Sequence, residues 1–146
     1  MANYCCTIRT NYFHVKDEEK FRALMDRTYG CEDSIELWKE RDANGNTVFG
    51  FGVYGGISGL RSAGADEDDD YDESSYDEFL DGLQECVADD DAIIILEAGN
   101  EKMRYVIGAA TVITSDQFAY LDIADLAKQK ASEFLSNPSW QTQCTY

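Results

Sequence analysis

Polar and apolar positions alternate with period two near the start of the chain. Tyr4, Cys6 and Ile8 fall on one side and Cys5, Thr7 and Arg9 on the other, so Tyr4 to Phe13 predicts a strand. After Asp17 the period becomes helical. Phe21, Leu24, Met25 and Thr28 form an apolar stripe, Asp17 supplies an N-cap with acids in the next turn, and Gly30 predicts the stop. Alternation returns at Ile35 to Trp38. The turn-forming run Asp42-Ala43-Asn44-Gly45-Asn46 joins that stretch to Thr47–Tyr54 as a hairpin. Gly55 to Gly64 reads as a glycine-rich loop.

Further on, Phe79, Leu83 and Cys86 or Val87 repeat with helical spacing, which predicts a helix over Tyr76–Val87. A capping signal precedes it, Ser74-x-x-Asp77 or the better match Ser75-x-x-Glu78. Ala92 to Glu97 is a short, continuously apolar strand. Ala98-Gly99-Asn100 reads as its turn, Met103–Thr114 as the returning strand, and Gln117–Leu121 as a shorter one. Asp122 caps a last helix to Leu135 whose inner stripe is Ile123, Leu126, Ala127, the stem of Lys130 and Phe134, and Pro138 ends regular structure. The order β-α-β-β-α-β-β-(β)-α is dominated by hairpins. It predicts an α+β fold in which about three helices pack on one face of a mostly antiparallel sheet. The 146 residues fit a single domain, 1–146, with an acidic loop inserted at 64–75.

Charge sharpens this picture. The chain holds 29 acidic and 12 basic side chains, a formal net charge of −17. No Lys or Arg lies between Ser62 and Glu101, and those 40 residues carry 16 of the acids, so the remaining 106 residues sum to only −1. Such asymmetry points to a partner rather than to a fold. Hydrophobic residues at 44% supply a core, no apolar run reaches the ~20 residues of a membrane span, and Met1 to Arg9 lacks the layout of a secretory signal. A soluble, cytoplasmic protein is expected.

Several chemistries are disfavoured. Gly50-Phe51-Gly52-Val53-Tyr54-Gly55 spells G-x-G-x-x-G, but its first two glycines fall inside a predicted strand and no helix follows to receive a phosphate. Gly50 and Gly52 instead predict a bare patch of sheet that a helix or neighbouring backbone approaches closely. Asp66, Asp68, Asp70 and Asp72 alternate like a calcium loop, yet the sixth and twelfth positions are Tyr71 and Asp77 where that loop needs Gly and Glu. Cys5, Cys6, Cys31, Cys86 and Cys144 are odd in number and form no C-x-x-C pair, which reads as reduced, buried thiols. With His14 as the sole histidine, neither an acid–base pair nor an activated nucleophile is visible. No enzymatic activity, cofactor or metal is expected.

The polyanion remains. An extended chain advances ~3.3 Å per residue and one DNA strand carries a phosphate per ~3.4 Å, so consecutive acids match its linear charge density. The candidate partner-binding residues are Asp66, Glu67, Asp68, Asp69, Asp70, Tyr71, Asp72, Glu73, Tyr76, Asp77, Glu78, Asp81, Glu85, Asp89, Asp90 and Asp91. The tyrosines among them either stack where bases would or anchor the loop. In size, charge and the stretch Ala65–Asp91, the chain resembles the small DNA-mimicking anti-restriction and anti-CRISPR proteins of phages and mobile elements. The resemblance is compositional. It implies no catalysis and no cofactor. The partner it implies is a basic, nucleic-acid-binding nuclease or nuclease–guide complex, with no direct binding of nucleic acid or membrane. Two other readings are an immunity protein against a nuclease toxin, and an interaction module that works through its sheet surface (Tyr54, Tyr105, Tyr120) with the acidic loop as a solvated spacer.

Overall fold

The computed structural model describes residues 4–60, 76–103 and 105–143. Its elements are β1 (Cys5–Thr10), α1 (Glu18–Arg27), β2 (Thr28–Gly30), β3 (Glu36–Arg41), β4 (Thr47–Tyr54), β5 (Ile57–Leu60), α2 (Tyr76–Cys86), β6 (Ile93–Glu101), β7 (Tyr105–Ile113), β8 (Phe118–Asp122) and α3 (Ile123–Phe134). Six strands form one antiparallel sheet in the order β3-β4-β1-β6-β7-β8, and β2 pairs with β5 in a two-stranded sheet. The fold is α+β, as expected, with β2 and β5 as additions. Both additions were hidden by glycine. Gly30 reads as a helix stop and Gly59 as loop, whereas α1 already ends at Thr28, whose backbone is extended, and the chain continues straight into β2.

The core lies on one face of the large sheet. Ile8 of β1, Phe49, Phe51 and Val53 of β4, Ile93 and Ile95 of β6 and Ile113 of β7 point there. They meet Phe21 and Met25 from α1, and Phe79, Leu80 and Leu83 from α2. Phe13, which follows β1 and bridges to Phe49, is wholly buried at the centre, edge-on to both Phe21 (5.6 Å) and Phe51 (6.3 Å). Phe51 in turn meets Phe79 edge-on at 5.9 Å. Each such pair adds about 0.5–1.5 kcal/mol beyond its buried area.

The third helix departs from expectation. In β7 the buried Thr111 and Ile113 mark the core side, so Gly108, Ala110 and Val112 point the other way. A Cβ on Gly108 would lie 3.1 Å from Ile123, which places α3 on the sheet face opposite α1 and α2. No residue of α3 is buried, so the stripe read as inward-facing is left in solvent. Asp122 does cap the helix as expected, accepting from the Asp125 N–H.

One glycine reading also changes and another holds. Ala98-Gly99-Asn100 is not a turn, because β6 runs on to Glu101 and the chain reverses at Lys102, whose φ is +52°. Gly99 sits opposite Cys6, where a Cβ would come within 2.6 Å of both the Cys5 carbonyl oxygen and the Tyr4 hydroxyl. Gly50 and Gly52 lie in the strand interior and neighbouring backbone does approach them, a Cβ meeting the Asn11 carbonyl oxygen at 3.3 Å and the Ile8 carbonyl oxygen at 2.9 Å, and aromatic rings fill the rest of the space. Tyr12 covers Gly50, and Trp38 lies so close over Gly52 that a Cβ there would sit 2.8 Å from its ring.

Register along β1 and β6 is guarded by Asn11. Its side chain donates to the Ala92 carbonyl (3.0 Å) and accepts from the Ile94 N–H (2.8 Å), while its own N–H donates to the Ile94 carbonyl.

Gly99→Ala is expected to lose about 1–3 kcal/mol, the usual cost of overpacking, because the obstructing atoms at Cys5 are backbone. Urea unfolding of the full chain measures it, and an unchanged midpoint would contradict the account of Gly99.

Candidate functional site

The expected acidic surface is described from Tyr76 onward. Asp66, Glu67, Asp68, Asp69, Asp70, Tyr71, Asp72 and Glu73, together with the Ser74 and Ser75 caps, lie outside the described residues. In α2, Phe79, Leu80, Leu83 and Cys86 face the core. The amphipathic period therefore turns Asp77, Asp81 and Glu85 outward as one stripe at four-residue spacing, with Glu78 beside it. All four are exposed, and no ion pair joins them to a cation among the described residues. At 1.5 Å rise per residue the four carboxylates span about 12 Å of helix, one per ~4 Å.

The remaining candidates part company. Tyr76 turns inward, packing on the core at 5.9 Å from the Phe79 ring, and burial pushes its pKa up to about 12. It is the anchor of the two roles considered for it. Asp90 is exposed. Asp89 pairs with Lys16 at 3.0 Å.

Asp91 is drawn into a three-membered cluster that sequence reading missed. His14 Nδ1 lies 2.7 Å from Asp91 Oδ2, and its Nε2 lies 2.7 Å from Asp42 Oδ2. The His14 backbone N–H also donates to Asp91. A neutral imidazole carries one N–H, so two carboxylates at this distance select the imidazolium. The bond to Asp42, then that to Asp91, raises the His14 pKa. Asp42 is held low by His14 and by the Asn46 N–H. At Asp91 partial burial acts upward, but the His14 bonds prevail and its pKa is lowered. The cluster ties the β1–α1 connection to the β3–β4 turn and to the approach to β6. Only the turn-forming composition around Asp42 was visible locally, because the partners are 28 and 77 residues from His14.

The opposite sheet face has a different chemistry. Strand pairing aligns Thr7 with Tyr54 and Ala98, and Arg9 with Gly52 and Leu96, on the side away from the core. Arg9 stacks over the Trp38 ring at 4.8 Å, a cation–π contact on the floor left by Gly52. Beyond Arg9, Leu96, Ala98, Gly108, Ala110, Leu121, Ile123 and Leu126 line an open apolar groove of about 510 Å³. Of the tyrosines considered for a sheet surface, Tyr54 alone belongs to this face. Tyr120 pairs with the buried Thr111 and so lies on the core side of its strand, and Tyr105 is half-buried on that same side. Glu97, one of the acids of the charged stretch, is also turned to the core side, where it accepts from the Tyr4 hydroxyl at 2.8 Å.

The cysteines meet the expectation of burial only at Cys86. Cys5 and Cys31 are exposed, Cys6 is half-buried and Cys86 is buried, while Cys144 lies outside the described residues. Short strands and turns offer the first three little cover, so their hydrophobic character did not translate into burial. No described helix is long and apolar enough to cross a membrane.

A raised histidine pKa gives a definite sign. The stabilisation from His14 is fully present below its unfolded value of about 6.5 and is lost as pH rises through the higher folded-state value. The lowered Asp42 and Asp91 contribute above their unfolded values near 3.9 and lose that contribution as pH falls. Urea midpoints are therefore expected to drop between pH 6 and pH 9 in the parent chain, and His14→Gln is expected to flatten that alkaline limb. An equal slope in both proteins would contradict the cluster's charge state.

No family model, no curated protein and no solved structure matches this chain.

Proposed function

We propose that this chain is a non-enzymatic binding protein that engages the basic groove of a nucleic-acid-binding protein, as a DNA-mimic inhibitor of a host defence nuclease of the restriction or guide-RNA class. The observation that supports this reading is the outer stripe of α2, with Asp77, Glu78, Asp81 and Glu85 exposed and without a cation among the described residues. Its density of one carboxylate per ~4 Å compares with one phosphate per ~3.4 Å along a DNA strand. In sequence the stripe continues the acidic run that begins at Asp66.

A groove lined with Lys and Arg for phosphate attracts such an array at long range and binds it fast, and salt weakens the attachment. Holding the carboxylates on a helix fixes their spacing before the encounter, so less ordering entropy opposes binding. Tyr76 and the Phe79 and Leu83 side chains fasten that helix to the core, which leaves the charged side free to meet a partner. Asp89 and Asp91, already paired with Lys16 and His14, contribute least.

The test uses purified restriction endonucleases and guide-loaded nucleases, each holding a fluorescent DNA duplex. The chain is expected to displace the duplex from a target nuclease, with affinity falling at least ~10-fold between 50 and 200 mM salt. The variant Asp77→Asn/Asp81→Asn/Glu85→Gln is expected to weaken displacement ~10-fold or more while keeping its helical circular dichroism. Displacement unchanged by the substitutions, or absent from all nucleases at 50 mM salt, would overturn the proposal.

A further inference from the structure

The face opposite the acidic helix is unfinished as a monomer. A helix of twelve residues is marginal in water unless an apolar side is covered, and α3 buries none of its residues. Ile123, Leu126 and Phe134 lie on one stripe of it, 63%, 46% and 80% exposed. At the N-terminal end of the stripe Ile123 and Leu126 form one wall of the groove, whose floor includes Leu96 and Leu121. At the other end Phe134 projects without lining any part of it.

We propose that this face is the interface of a two-fold symmetric dimer of the chain, in which α3 packs antiparallel against its counterpart and Phe134 of each copy seats in the groove of the other. Self-complementarity selects a second copy of the chain as the occupant. One surface carries both a concave apolar groove and a projecting apolar ring, separated along a single helical stripe. Antiparallel pairing of two identical stripes brings the C-terminal end of each to the N-terminal end of the other, so both grooves fill at once, as an isologous contact requires. Leu96, Leu121, Ile123, Leu126 and Phe134, between 40% and 80% exposed, leave on the order of 550 Å² in solvent, about two-thirds of the ~800 Å² that each partner contributes to a standard interface.

Charge permits this pairing and disfavours the alternative of stacking through α2. The exposed acids of α2 lie on the far side of the sheet from the groove, so in the dimer two sheets separate them, well beyond the ~8 Å screening length at physiological salt. Near the middle of the stripe Lys130 is already neutralised by Glu133 at 2.9 Å. This inference stands on the groove and α3 alone and does not rest on the inhibitor reading.

Sedimentation equilibrium of the full chain from 1 to 100 µM in 150 mM salt is expected to give twice the chain mass at the upper end. Raising salt to 0.5 M should preserve the dimer, since apolar contacts hold it. Phe134→Glu and Leu96→Glu, at opposite sides of the contact, are each expected to raise the dissociation constant at least 10-fold. Should either variant fail to fold, hydrogen exchange of the parent chain gives a second readout, with α3 amides slowing as concentration rises. A parent chain monomeric at 100 µM would overturn the proposal and leave the face to another protein. So would a dimer indifferent to both substitutions, or α3 exchange independent of concentration.

Discussion

The cluster of phenylalanines is the constraint on which the fold depends. Phe13 lies between β1 and α1 in sequence and touches ring edges from α1 and β4. Phe51 passes the same contact on to α2 through Phe79. Because these rings come from four segments, the cluster sets where both core-side helices sit on the sheet. It also decides which side of α2 is left over. Once Phe79 and Leu83 are committed inward, the helical period turns Asp77, Asp81 and Glu85 to solvent.

Much of this was legible from one-dimensional pattern, and the exceptions have identifiable physics. The β3–β4 hairpin, the N-caps Asp17 and Asp122 and the inward side of α2 follow from local rules that tertiary contacts did not override. Gly99 misled because turn propensity and close packing select the same residue, and only the neighbouring strand reveals which applies. The stripe on α3 misled differently. Its period is that of a helix with a buried side, which is correct as local structure, but no sequence pattern states which surface does the covering. The His14 cluster was invisible because its partners are remote in sequence. The acids and the tyrosine from Asp66 to Glu73 that began the functional reading lie outside the described residues, so the candidate site is legible in structure only from Tyr76 onward.

The distribution of cations explains which acids remain available. Carboxylates near a helix C-terminus meet the negative end of its dipole, whereas those in the first turn are favoured. Asp77 and Glu78 occupy the favourable end of α2 and have no cation among the described residues, while Asp89 and Asp91, just past its C-terminal end, have Lys16 and His14. Lys16 and His14 thus offset two acids that follow the helix, whereas Glu85 in its last turn has no cation among the described residues. The outward stripe keeps its full field.

The bracket made by Asn11 has a consequence for how the chain reaches its fold. Ile93, Ile94, Ile95 and Leu96 are apolar without interruption, so hydrophobicity alone scarcely distinguishes the native alignment of β6 from one slipped by a residue. A slip would exchange the inward Ile95 for the outward Leu96 at little cost in burial, although it would also bring a Cβ into the place that Gly99 keeps open. The amide of Asn11 donates to the Ala92 carbonyl and accepts from the Ile94 N–H, which ties the native alignment to two specific backbone groups. One polar side chain at the margin of the sheet thereby lifts a near-degeneracy that the greasy strand itself leaves open.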